Sequence, residues 1–242
     1  MQVEWSVKKL GVCDSTFTEA RTMPAWSVTS TVSQRMGRGR FNRRWYGDKG
    51  GMWATYNLPI DAEKECPWGL MPLVAGAALM NTLSAYKIPK LRLRWPNDVL
   101  VGRSKLAGIL VERPCSSIVS VGIGVNVHNN LAQIQGMTTD PPVRLADLIG
   151  AGCPTADELR DHLAAELAKT YVDFVQNGSG GVMDILSMAW GEPLPVVAIT
   201  DTERICGFFS GIMDDGSPIL KRVDGTSVIV PAISINRMKE LI

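Results

Sequence analysis

A chain of 242 residues can bury a full hydrophobic core, and ordinary domain sizes favour one large domain plus a small one. With 45% apolar and 20% charged residues, the composition is that of a soluble globular protein and excludes a disordered one. Lys and Arg number 25 against 24 Asp and Glu, so the near-neutral chain has no global attraction to nucleic acid or an anionic membrane, which leaves only local patches.

Residues 1–12 mix charges with apolar residues and lack the apolar core of a signal peptide. No stretch approaches the ~20 apolar residues of a membrane span, so a cytoplasmic protein is expected. Cys13, Cys66, Cys115, Cys153 and Cys206 are scattered, odd in number and without Cys-x-x-Cys spacing. They read as reduced thiols, not as a disulfide framework or a zinc site. His128 and His162 lie outside any motif and receive no catalytic role.

In chain order, residues 26–33 and 118–127 are rich in Val, Thr, Ile and Ser with partial period-two alternation and predict strands. Gly122 and Gly124 mark a place where a ligand or another part of the chain comes close. Residues 68–86 carry Leu, Met, Ala and Val at helical spacing, which predicts a buried helix with Pro72 in its first turn. Leu and Arg alternate over 91–95, a Pro96-Asn97-Asp98 turn cluster follows, and β character resumes at 99–101. This predicts a hairpin with a polar apex. A further strand is expected over 105–112, with Lys105 at its start and Pro114 stopping it.

Thr155 and Glu158 have capping-box spacing, and Leu159, Leu163, Leu167, Tyr171 and Phe174 follow at near-helical intervals. That helix should end near Gly178. After Trp190 come short β runs at 196–200, 206–213, 218–221 and 227–230, separated by Asp-Gly turn signals, which predict a small β-barrel. The expected architecture is α+β, with a mixed sheet backed by helices over 1–190 and a small barrel over 191–242 packed against it.

The densest chemistry lies in Gln34-Arg35-Met36-Gly37-Arg38-Gly39-Arg40-Phe41-Asn42-Arg43-Arg44-Trp45, five arginines around two glycines. Glycines let a backbone wrap closely around an anion, and guanidinium forks match carboxylate and phosphate oxygens. Alone, this stretch is equally a solvated basic loop or a nucleic-acid patch.

Three segments together resemble one family in order and spacing: Gly37-Arg38-Gly39-Arg40 with Arg43 and Trp45, Trp95-Pro96-Asn97-Asp98, and Lys105-Leu106-Ala107-Gly108-Ile109-Leu110-Val111-Glu112. The family is the biotin protein ligases. Asp14-Ser15-Thr16 and Gly122-Ile123-Gly124-Val125-Asn126 extend the resemblance over about residues 12–126. Phe17, Asn42 and Arg94 depart from it, standing where the family usually has Asn, Gly and Lys. Asn at the loop position tolerates positive φ better than most residues.

The resemblance implies a class II synthetase-like biotin/lipoate ligase fold with a C-terminal SH3-like β-barrel, in a form without a DNA-binding domain. It implies ATP, biotin and Mg²⁺ as reactants, biotinyl-5′-AMP as intermediate, and a lysine of a biotin carboxyl carrier domain as acceptor. Nucleic acid and membrane are not expected as partners, and a homodimer is compatible. Lys105, Arg40, Arg38 and Asp98 are the implied catalytic residues. Asp98 is the candidate to orient or deprotonate the acceptor amine, or else simply holds the turn. The implied biotin contacts are Ser15, Thr16, Gln34, Gly37, Arg38, Lys105 and Gly108, the last leaving room for the thioether side. The implied nucleotide contacts are Arg38, Arg40, Arg43, Trp45, Asn97, Lys105 and Asn126. The rivals are a lipoate or octanoate ligase and a nucleic-acid-binding module.

Overall fold

The computed structural model describes residues 3–60, 68–134, 136–138 and 140–241. Cys66 lies outside them, and the four described cysteines are free thiols.

The main sheet is built from β1 (Ser6–Cys13), β2 (Ser27–Arg38), β3 (Arg44–Gly47), β4 (Met52–Pro59), β5 (Leu91–Arg94), β6 (Asp98–Val101), β7 (Ser104–Cys115) and β8 (Ile118–Val125). Its order is β1-β2-β4-β8-β7-β6-β5, with β3 a hairpin partner of β2. β1 runs parallel to β2 and the other pairs are antiparallel, so the sheet is mixed as expected. One face carries the helices α2 (Met71–Ser84), α4 (Ala156–Asn177) and α5 (Gly180–Ala189). Short helices α1 (Thr16–Ala20) and α3 (Leu145–Ile149) complete the domain.

Alternation along β8 assigns the two faces. Val119, Val121, Ile123 and Val125 join the helix-side core, while Gly122 and Gly124 open onto the opposite face, where a cavity lies. Next door, Ala107 and Ile109 of β7 join the core and Gly108 and Leu110 line the cavity. Strict alternation would send Lys105 to the core with Ala107. A bulge prevents this: Val99 pairs with Ala107 but Leu100 pairs with Lys105, so Leu106 is the extra residue. Leu106 is buried, and Lys105 is re-aimed into the cavity.

Several boundaries match expectation. Helix α2 has Pro at its first turn, and α4 has the complete Thr155/Glu158 capping box with Gly178 as its C-cap. Expectation was wrong at Pro114, which does not end β7. The strand continues to Cys115 across a register shift after Glu112, where the missing proline N–H disturbs no regular ladder. The central strand β4 was not foreseen, because it is buried on both faces and has no period-two signal.

The C-terminal unit is a five-stranded antiparallel sheet of β9 (Pro195–Ile199), β10 (Arg204–Ile212), β11 (Pro218–Lys221), β12 (Ser227–Ile229) and β13 (Arg237–Glu240), in the order β12-β11-β10-β9-β13. It touches the main domain at the predicted hairpin. Trp95 Nε1 donates to Gly216 O at 3.0 Å, and Arg92 grips Glu240 through two bonds of 2.6 and 2.8 Å.

Candidate functional site

The cavity on the face opposite α2, α4 and α5 has a volume of about 660 Å³. Its floor is β7 and β8, and its walls are the arginine–glycine loop, the 94–98 hairpin, Met137, Thr138, Asp140 and Pro141, and β13. The floor depends on glycine. A Cβ on Gly124 would lie 2.6 Å from Trp45 Nε1, one on Gly108 2.7 Å from the Trp45 ring, and one on Gly122 2.3 Å from the Phe17 ring. Two aromatic rings therefore pack directly against glycines. The room at Gly108, expected to serve the thioether side of biotin, is taken by Trp45 in this structure.

The hairpin apex carries the tightest charge cluster. Lys105 Nζ lies 2.6 Å from Asp98 Oδ1 and 5.3 Å from the centre of the Trp45 ring. Arg94 donates to Asp98 Oδ2 at 2.7 Å and forks onto Asp140 at 2.8 and 2.5 Å. Burial favours neutral Asp98, but Lys105 and then Arg94 outweigh it and hold the carboxyl below its ordinary range. Burial likewise opposes charge on Arg94, yet its bonds to Asp140 and the field of Asp98 push the guanidinium above its usual value. Asn97 fixes the apex to β7 by accepting from Ile109 N at 2.9 Å and donating to Ile109 O at 2.8 Å. The Trp95–Pro96 peptide is cis.

The arginine–glycine loop is held more lightly. Gly39 N donates to Arg43 O at 2.8 Å across a single 3₁₀ turn at Arg40–Asn42. The left-handed residue in that turn is Phe41, φ 57°, and not Asn42, whose tolerance of positive φ the sequence suggested would matter. A bulky aromatic in this region is uncommon. Arg40 reaches Asn97 Oδ1 at 3.4 Å, and burial, opposed by Asp98, lowers its pKa. Arg38 pairs with Glu112 at 3.1 Å and lies over the Phe17 ring at 5.3 Å. Arg43 packs on Phe41 at 5.8 Å. Gly37 must be glycine because a Cβ there would meet Trp45 O at 2.4 Å.

At the far end, Thr16 N and Oγ1 donate to Gln34 Oε1 at 2.9 and 3.2 Å, and Thr55 Oγ1 donates to Thr16 Oγ1 at 2.8 Å. Ser15 precedes α1, and its hydroxyl is a buried polar atom without a hydrogen-bond partner among the described residues.

Of the residues singled out from the sequence, Thr16, Gln34, Arg38, Arg40, Arg43, Trp45, Asn97, Asp98, Lys105 and Gly108 line the cavity together. Ser15, Gly37 and Asn126 do not. Asn126 instead supports β7, donating from Nδ2 to Lys105 O at 3.3 Å and accepting from Asn129 at 3.1 Å. Sequence reading missed Asp140, Arg103 and the β13 residues Arg237, Lys239 and Glu240, all of which line the cavity. The four-residue β13, Arg-Met-Lys-Glu, is too short to show a period. Asp140 had no local signal either.

The profile of the Biotin/lipoate A/B protein ligase family matches residues 13–130. The biotin--[acetyl-CoA-carboxylase] ligase of Paracoccus denitrificans is 32% identical over 232 residues, covering 90% of this chain and 95% of that protein. The bifunctional ligase/repressor BirA of Bacillus spizizenii is 26% identical over 216 residues, covering 86% of this chain and 66% of that protein. Among solved structures, the biotin protein ligase of Aquifex aeolicus in complex with biotin and ATP superimposes with a TM-score of 0.84 at 21% identity, covering 98% of this chain and 99% of that one.

Proposed function

The chain belongs to the biotin protein ligase family and is an ATP-dependent biotin–protein ligase, and from that premise we propose which residues do the work. The biotin carboxylate attacks the α-phosphate of ATP, giving biotinyl-5′-AMP and pyrophosphate, and an acceptor lysine then displaces AMP. Two anions must meet in a partly buried cavity, so cations at the point of contact are the first requirement. The observation that carries the assignment is the convergence of Lys105, Arg38, Arg40 and Arg43 on one cavity beside the Asp98 carboxylate.

Lys105 is placed to meet the biotin carboxylate and then the adenylate oxygens. It rests on Trp45, and its direction is fixed by Asp98. Arg40 faces Asn97 and is the loop arginine best placed for the reacting phosphate, with Arg38 and Arg43 flanking it. The end bearing Thr16 and Gln34 suits the ureido ring, because the Thr16 hydroxyl and the Gln34 amide offer donors and acceptors beside aromatic walls, with the buried Ser15 hydroxyl next to them in the chain and outside the cavity lining. Asp98, held ionised by two cations, is a weak base. Its role is to orient the acceptor amine and Lys105, not to remove the amine's proton unaided.

Mg²⁺ enters as a partner of ATP. The cavity carboxylates Asp98, Asp140 and Glu240 are each paired with Arg or Lys, so its ligands would be phosphate oxygens and water. The acceptor is the lysine-bearing biotin carboxyl carrier domain of a carboxylase, and the compartment is the cytoplasm. No helix among the described residues is long and apolar enough to cross a membrane.

The test is exchange of labelled pyrophosphate into ATP with biotin, lipoate, octanoate or no acid. Biotin alone should support exchange, and Lys105→Ala should lower it by about 10²- to 10³-fold, the scale of losing one charge-stabilising donor. Exchange with lipoate or octanoate in preference to biotin would move the substrate assignment to the sister ligases.

A further inference from the structure

Residues 140–143 do more than wall the cavity, which Asp140 and Pro141 line. Lys105 N donates to Pro141 O at 2.8 Å and Val143 N donates to Lys105 O at 3.0 Å, so this segment pairs with the backbone of Lys105 itself. From the same segment Asp140 takes both arms of the Arg94 fork, at 2.8 and 2.5 Å. Arg94 Nη2 is shared with Asp98 Oδ2 at 2.7 Å, which leaves Asp98 Oδ1 for Lys105 Nζ at 2.6 Å. On the other side Glu240 clasps Arg92 at 2.6 Å and lies 4.0 Å from Arg94. Three cations, Arg92, Arg94 and Lys105, thus balance three carboxylates, Asp98, Asp140 and Glu240, in one partly buried chain.

We infer that Asp140 is a positioning residue for Lys105, acting through Arg94 and Asp98. This rests on the reading of Lys105 as the group that meets the biotin carboxylate. A guanidinium beside two carboxylates divides its donors between them, and the division here leaves one Asp98 oxygen entirely to Lys105. Without the charge of Asp140, the Arg94 fork has one anion left on that side. It turns both donors onto Asp98 and competes with Lys105 for that carboxylate. Lys105 then loses its fixed direction over Trp45, and an ammonium on a flexible four-carbon stem has many other places to go. The loss appears in the chemical step, because misplacing a charged group by an ångström weakens transition-state contacts more than substrate capture.

The experiment is steady-state biotin-dependent pyrophosphate–ATP exchange with the full chain, comparing wild type, Asp140→Asn, Asp140→Glu, Asp98→Asn and the Asp98→Asn/Asp140→Asn pair. Lys105→Ala serves as the reference for the site. Asp140→Asn should lower kcat about ten- to a hundredfold with KM for biotin and ATP changed by less than about threefold. Asp140→Glu, which keeps the charge, should recover most of kcat. In the Asp98→Asn background the second substitution should cost less than about twofold, since its route to Lys105 is already cut. Unchanged kcat in Asp140→Asn, or losses that multiply in the pair, would overturn the inference. A fall in kcat matched by Asp140→Glu and by a drop in melting temperature would also overturn it, as the mark of a purely structural role. Asp140→Ser supplies the same comparison if the amide variant does not fold. If Lys105→Ala retains full exchange, the site reading fails instead, whatever Asp140 does.

Discussion

The hairpin around Asp98 and the arginine–glycine loop face each other across one cavity and hold their cations in opposite ways. In the hairpin, Arg92, Arg94 and Lys105 are each ion-paired and less than about a third exposed, and Asn97 bolts the apex to β7. In the loop, Arg38 pairs with a partly exposed Glu112, Arg40 makes one long bond to Asn97 among the described residues, and Arg43 rests on Phe41. The hairpin therefore has its directions fixed before any ligand arrives, and the loop keeps guanidinium donors uncommitted for incoming oxygens. A site that must both orient a nucleophile and gather a polyanion needs both kinds of cation.

Breaking the rigid side should have the largest effect. Asp98→Asn leaves Lys105 and Arg94 partly buried without their shared anion and should cost about 3–5 kcal/mol of stability, measured by urea unfolding. Its pH dependence has a definite sign. The folded carboxyl is held below its ordinary value, so its contribution is fully present above the unfolded pKa of ~3.9 and is lost as pH falls through the folded value. The stability gap between wild type and Asp98→Asn should be flat from neutrality down to about pH 5 and close only in stronger acid. A gap that closes near pH 6 would show that the carboxyl is not held ionised by its neighbours.

On the loop side, Arg40→Ala should leave unfolding almost unchanged and lower kcat of exchange by about 10²- to 10³-fold. Circular dichroism melting and exchange kinetics on the same sample separate the two regions. A large drop in melting temperature would mean that the loop is as structural as the hairpin.

The contrast was partly legible in the sequence. Both regions were found as motifs, since each is contiguous and its residue types announce the chemistry. The manner of holding was not legible. Asp140 and Glu240 lie 46 and 148 residues from the arginines they bind, and no local spacing links them. The aim of Lys105 was also hidden, because alternation from Ala107 points it at the core and only the Leu106 bulge reverses it. In the fold, α4 declared itself by its capping box and β8 by its alternation of Val and Ile with Ser and Gly. The buried strand β4 has no exposed face to set a period, β3 and β13 have only four residues each, and β1 carries Lys8-Lys9 where alternation would need one apolar residue.

A third variant tests whether Trp45 joins the two sides. Its ring spans from the loop to the floor under Lys105, so Gly124→Ala, with its Cβ 2.6 Å from Trp45 Nε1, must push the indole off. Overpacking of this kind costs about 1–3 kcal/mol. A raised KM for biotin and a shifted tryptophan fluorescence maximum should accompany it. Normal kinetics would show that the ring moves freely and does not fix the lysine.

The smallest effect is expected at Glu112, and its direction is the informative part. The Arg38–Glu112 pair is roughly one-third exposed, so removing it should change stability by less than about 1 kcal/mol. If that pair holds Arg38 back from the nucleotide until ATP competes for it, Glu112→Gln frees the guanidinium in advance. The KM for ATP in pyrophosphate exchange should then fall about two- to fivefold, the kinetic equivalent of a surface ion pair. A KM that rises instead would mean that Glu112 holds Arg38 in the orientation the phosphates require, and the light hold on the loop would have to be sought in Phe41 and the Arg40–Asn42 turn.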